Sequence, residues 1–194
     1  PKDAKDDGVP RTGIAMVIDT TISMKPYIDQ SLNVVRAIFD SVAKDKLDDK
    51  VSFGIVAFRN STKASPKLEY LTKVYADPNS VQSGEDFMKK AAGLKQASVS
   101  SKEFDEDAYA GVMDAIDKID WSGFGARYVV LITDAGALDG SNKLSSTGLN
   151  AEQVRIEAGK PGVAICSCND GLRPVIMKLE ATEQPSEMEY TPVR

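Results

Sequence analysis

The chain contains no histidine. That absence removes Ser-His-Asp and Cys-His nucleophile pairs, HExxH zinc sites and histidine general bases. Cysteine is nearly as scarce. Cys166 and Cys168 are the only two, in the stretch Val163-Ala164-Ile165-Cys166-Ser167-Cys168, and on an extended strand both fall on one face. Such a pair packs as small hydrophobes more readily than it bonds as a disulfide, so it leaves the redox compartment open. No run approaches the length of a membrane span, and the opening Pro-Lys-Asp is neither a signal peptide nor an initiator methionine. The expectation is an excised fragment with no membrane contact of its own, any anchor lying outside it. Basic residues number 24 against 29 acids, a net charge of −5, and form no stripe. Nucleic acid is therefore not expected as a partner.

Nucleotide and kinase signatures are missing too. No Gly-rich phosphate loop follows the first apolar run, Gly123-Phe124-Gly125 precedes a strand instead of a helix, and there is no HRD or DFG motif. Any kinase activity would lie outside this fragment.

A length of 194 residues with 42% hydrophobic side chains suits one domain. Residues 1–12, polar and charged, read as a flexible lead-in, and residues 13–194 as a single domain. The organising stretch is Gly13-Ile14-Ala15-Met16-Val17-Ile18-Asp19-Thr20-Thr21-Ile22-Ser23. Its apolar run lacks alternation, as expected of a strand buried on both faces of a parallel sheet. The polar groups at its end sit where open α/β sheets bind ligands. Asp19, Thr21 and Ser23 alternate, so an extended turn can converge their oxygens on one point. Hard oxygen ligands favour Mg²⁺ or Mn²⁺, with Ca²⁺ as the alternative, over zinc or copper. The competing reading of this stretch alone is a strand followed by a Thr/Ser helix cap.

Further along, Ile28, Leu32, Val35, Phe39 and Val42 mark one face of a helix from about Pro26 to Lys44. Val51 to Phe58 reads as a second strand, with Gly54 admitting a close neighbour. Leu68 to Tyr75 reads as a third, joined by a short connection and so antiparallel, at an edge. Ser83 caps an expected helix over Glu85 to Ala97. Asp105-Glu106-Asp107 opens another, which buries Tyr109, Val112 and Ile116. Tyr128 to Asp134 is a second fully apolar strand ending in aspartate. A long Gly/Ser/Asn/Thr loop, Ala135 to Asn150, leads to a short helix around Val154 and a strand from Val163 to Cys168; a length of that kind marks a loop with a role or without order. A helix from Pro174 and an edge strand from Met188 to Val193 complete the reading. Strands alternating with helices predict an α/β fold, a doubly wound, mostly parallel sheet with one antiparallel edge strand and helices on both faces.

With Asp19-Thr20-Thr21-Ile22-Ser23 after the first strand and Thr133-Asp134-Ala135-Gly136 after a later one, the chain resembles a von Willebrand factor type A domain with its metal-ion-dependent adhesion site, from about Gly13 to Cys168. That family reads D-x-S-x-S, then a Thr in a second loop, then T-D-G. The resemblance implies that Thr21 and Ser23 bind the metal directly, and that Asp19 and Asp134 act through water or hydrogen bonds. It also implies a Rossmann-like fold. One position departs: no threonine lies between Tyr75 and Thr133. The third oxygen is expected from Asp105 or Asp107, with Glu106 between them; the alternative is that these acids simply favour a helix N-terminus. A carboxylate there leaves the site about −1 around a divalent ion, so it should pull less on a partner's acidic side chain than the adhesion-type version does.

The stretches Ile18 to Ile28, Val51 to Arg59, Phe104 to Gly111 and Leu131 to Ala137 further resemble the domain attached to bacterial serine/threonine kinases of the type VI secretion system. That implies export to the periplasm, cytoplasmic residence being the alternative, and secretion-system or signalling components as protein partners. The function expected is a non-catalytic protein–protein interaction module whose loops Arg59 to Lys67, Ser98 to Phe104 and Ala135 to Asn150 supply a polar surface. Its competitor is a Mg²⁺-dependent phosphoryl-transfer enzyme of the haloacid-dehalogenase type. That chemistry wants D-x-D, and this chain has Thr21 at the second position.

Overall fold

The computed structural model describes residues 10–169 apart from 48 and 102. Five strands, β1 (Thr12–Asp19), β2 (Val51–Phe58), β3 (Thr72–Ala76), β4 (Ala126–Thr133) and β5 (Ala164–Asn169), form one sheet in the order β3-β2-β1-β4-β5. β1 lies at its centre, parallel to β2 and β4; β5 is parallel to β4, and only β3 runs antiparallel, at the edge. The expected fold class is therefore the observed one.

Alternate residues of the central strands feed two separate cores, which is why their apolar runs show no alternation. Ile14, Met16 and Ile18 pack under α1 (Lys25–Lys44) and α2 (Gly84–Ala91) with Phe53, Ile55 and Phe87. Ala15 and Val17 face α3 (Ala108–Lys118) and α4 (Ala151–Gly159) with Phe58, Val112 and Val154. Gly54 is a required close approach, since an added Cβ would lie 2.6 Å from Pro78 Cδ and 2.7 Å from the Ala76 carbonyl. No helix among the described residues is long and apolar enough to cross a membrane.

Two elements are shorter than their sequence patterns predict. α2 starts with the Ser83 hydroxyl accepting from the Asp86 N–H, but stops at Ala91. The segment after it is used elsewhere: the Tyr75 hydroxyl donates to the Gly93 carbonyl, Leu94 enters the core, and the Ala97 N–H donates to the Thr20 carbonyl. β3 begins at Thr72 instead of Leu68; just before it the Leu71 carbonyl accepts from the Arg59 N–H and the Tyr70 ring lies under the Arg59 guanidinium. The 134–150 loop has no helix or strand of its own, yet is pinned to the acidic segment before α3. Glu106 N–H donates to the Gly136 carbonyl, Leu138 N–H to the Glu106 carbonyl, and Leu138 is buried. Cys166 is half-buried and free. The helix expected from Pro174 and the last edge strand lie outside the described residues.

Candidate metal centre

At the carboxyl end of β1, Asp19 is fully buried and both its oxygens are engaged. Oδ1 accepts from the Thr21 backbone N–H at 2.8 Å and the Thr21 hydroxyl at 2.7 Å. Oδ2 accepts from the hydroxyl of Thr133 at 2.8 Å, at the end of the adjacent strand β4. Burial still dominates and raises the Asp19 pKa from 3.8 to about 6; the Thr21 and Thr133 hydrogen bonds pull it down, and the charge of Asp134 adds to the rise.

The next links of the chain are Thr21 Oγ1 to Ser23 Oγ, 3.2 Å, and Ser23 Oγ to Asp134 Oδ1, 3.2 Å. Thr21 donates to Asp19 and Ser23 to Asp134, and in the contact between the two hydroxyls either oxygen can be the donor, so both oxygens keep lone pairs toward the cleft. In an octahedral Mg²⁺ site with ligands at about 2.1 Å, neighbouring oxygens stand about 3.0 Å apart. Thr21 and Ser23 are spaced as such neighbours.

Glu106 lines the same cleft of about 190 Å³ as Thr21, Ser23 and Asp134. Glu106 is 5% exposed; Oε1 accepts from the Ser101 hydroxyl at 3.1 Å, and Oε2 is buried without a hydrogen bond of ordinary geometry, the Asn60 side chain lying near enough to the carboxyl to lower its pKa. A buried unpaired carboxylate oxygen calls for an explanation, and a cation is one. Burial, then repulsion from Asp19, lifts its pKa from 4.5 to about 8 against the pull of hydrogen bonds from the Ser101 and Asn60 side chains.

Neither Asp105 nor Asp107 lines this cleft. Asp105 is exposed, set against Gly136 where any Cβ would collide with its Oδ1, and its carbonyl accepts from Asn60 Nδ2 at 2.9 Å. Asp107 is buried at the start of α3, with Oδ2 accepting from the Ser146 N–H at 3.1 Å and Oδ1 unpartnered. Burial raises its pKa while hydrogen bonds from Ser146 and the charge of Lys63 oppose the rise. The three acids divide because Glu106 bridges to Ala137 like a residue of a parallel strand, and neighbours on an extended chain point to opposite sides. The pairing that makes this segment extended is with a residue thirty-one positions on, so nothing local in the sequence separates Glu106 from Asp105 and Asp107.

Behind the cleft, the Thr20 peptide is clamped from several sides. Its N–H and hydroxyl both donate to the Phe58 carbonyl at 2.9 Å, its hydroxyl meets the Tyr70 hydroxyl at 2.9 Å, and its carbonyl takes the Ala97 N–H. Arg59, buried, stacks 4.0 Å over the Tyr70 ring, pairs with Glu69, and donates to the Lys95 carbonyl at 3.0 Å. Nothing in the spacing of Arg59, Glu69 and Tyr70 announces this support.

Among the described residues, no three His, Cys, Asp or Glu side chains form a metal cluster. An ion held here would draw on the hydroxyls of Thr21 and Ser23 beside the carboxylates, an all-oxygen donor set that fits a hard divalent cation.

No protein-family model and no curated protein matches the chain. Among solved structures it is similar to proximal thread matrix protein 1 from the mussel byssus, with a TM-score of 0.55 and 17% identity over 81% of this chain. The same mussel protein with a zinc-occupied MIDAS motif gives a TM-score of 0.57 and 15% identity over 82%. In each case the match covers 35% of the mussel chain. Identity this low speaks for architecture alone, and the architecture is that of a von Willebrand A-like α/β fold.

Proposed function

We propose that the chain is a non-catalytic protein-interaction module built on a divalent-cation site formed by Asp19, Thr21, Ser23, Glu106 and Asp134. The observation that carries this reading is the buried Glu106 Oε2, without a hydrogen bond of ordinary geometry, in the cleft it shares with the Thr21 and Ser23 hydroxyls and Asp134. The reading takes Glu106 for the third loop position in place of Asp105 or Asp107. The zinc-occupied MIDAS motif of the mussel protein supports a divalent ion here, and the hard donor set favours Mg²⁺ or Mn²⁺. Against the phosphoryl-transfer alternative, Asp19 is no free nucleophile: it is buried and both oxygens accept hydrogen bonds. The finer reading, a kinase-associated domain of a type VI secretion system with periplasmic signalling partners, is supported by the sequence resemblance alone.

Mn²⁺ affinity across a set of variants tests the ligand assignment. Glu106→Ala is expected to weaken binding by at least about tenfold, the scale seen even for outer-shell losses. Asp105→Asn and Asp107→Asn are expected to stay within about threefold of the natural chain, less than 1 kcal/mol. The reverse pattern returns the third position to Asp105 or Asp107.

A further inference from the structure

Two large apolar side chains stand at the metal cleft with little of this chain over them. Phe104 is 83% exposed and Ile22 is 49% exposed, and both line the cleft. Single exposed apolar residues are ordinary. These two, however, share their cleft with the buried, unpartnered Glu106 oxygen. The remaining charge there is of one sign: Glu103, Glu106 and Asp134 line the cleft, Asp19 lies behind it, and none of the described lining residues is basic. With a divalent ion in place, these four carboxylates leave a formal charge of about −2.

We infer that the cleft docks a protein segment presenting a lysine or arginine beside an apolar side chain. The inference rests on the reading of this cleft as an interaction site. The partner's base meets Glu103 and Asp134, and its apolar neighbour packs on Phe104 and Ile22. A long basic side chain suits such a mixed rim, because its methylene stem lies along apolar surface while its charge stays at the polar mouth, and an arginine or lysine also gains from the face of a phenylalanine. An acidic side chain would add a fifth carboxylate to a cleft that is already net negative, and like charges brought together across an interface count against binding.

A library of random displayed peptides, selected on the immobilised chain in Mg²⁺, tests the inference. Enriched peptides are expected to pair Lys or Arg with an adjacent aliphatic or aromatic residue, and the best of them to bind Phe104→Ser and Glu103→Gln at least tenfold more weakly. Enrichment of Asp or Glu, no enrichment, or equal binding to both variants would overturn it. Mn²⁺ affinity, measured alongside, separates this outcome from that of the metal reading, since Phe104→Ser removes no metal ligand. Basic peptides that bind a chain unable to take Mn²⁺ overturn the ion and leave the docking chemistry standing; Mn²⁺ binding with acidic peptides does the opposite.

Discussion

Replacing Asp19 by asparagine is expected to stabilise the ion-free protein and to abolish its response to divalent cations. Asp19 is fully buried, and burial outweighs its three hydrogen bonds, so its pKa rises from 3.8 to about 6. The folded state therefore binds this proton more tightly than the unfolded chain does. The stability linked to that proton is fully present below about pH 4 and is lost as pH rises through about 6. At pH 8 in EDTA the natural chain carries a buried charge with no cation beside it, which Asp19→Asn removes at nearly constant volume. The gain is expected to be roughly 1–3 kcal/mol, growing between pH 4 and pH 7 in parallel thermal melts. Saturating Mn²⁺ should then stabilise only the natural chain, by about 2.7 kcal/mol at 100 times the dissociation constant. The two proteins should thus exchange rank at about 1,000 times the dissociation constant, where the metal contributes about 4.1 kcal/mol and exceeds the whole range of that gain. A variant less stable than the natural chain at pH 8 in EDTA would mean that the hydrogen bonds from Thr21 and Thr133 outweigh desolvation.

Phe58→Ala is expected to cost the most stability of any change close to the site. Phe58 is fully buried in the core between the sheet and α3. The fit is close: a Cβ on Gly111 of α3 would lie 2.9 Å from both Phe58 Cβ and Val17 Cγ1, so helix and sheet meet at a glycine and have little freedom to close over a void. Truncating a buried phenylalanine costs about 3–5 kcal/mol, or roughly 6–20 °C in the unfolding midpoint of a chain this long. The Phe58 carbonyl, which holds the Thr20 N–H and hydroxyl, is untouched by the substitution. Chemical denaturation with a linear extrapolation reads the loss; a change below 1 kcal/mol would mean that α3 resettles on the sheet.

Much of this architecture is legible in the chain before any coordinates. The apolar runs of β1, β2 and β4, the three-to-four residue spacing in α1 and the Ser83 cap are local signals, and each element sits where its signal places it. The expected extended turn through Asp19, Thr21 and Ser23 is instead a strand end running into a 3-10 helix over Ile22–Met24, and it is this turn that sets the Thr21 and Ser23 hydroxyls 3.2 Å apart. What local pattern misses is decided by distant contacts. α2 ends early because the Gly93 carbonyl, Leu94 and Ala97 bond or pack against Tyr75, the core and Thr20. Glu106 is separated from its neighbours by pairing with the 134–150 loop, about thirty positions on. Arg59 and Tyr70 find each other through the fold of a polar connection that carries no periodicity.

The most direct test of the metal-centred account is a titration of the unaltered chain with Mn²⁺, followed by both stoichiometry and thermal unfolding. The account predicts one ion per chain and, at 100 times the dissociation constant, a midpoint raised by roughly 5–11 °C, reversed by EDTA. An unchanged midpoint with no stoichiometric uptake at millimolar Mn²⁺ would contradict it, and would leave Glu106 as a buried acid whose unpaired oxygen has some other partner.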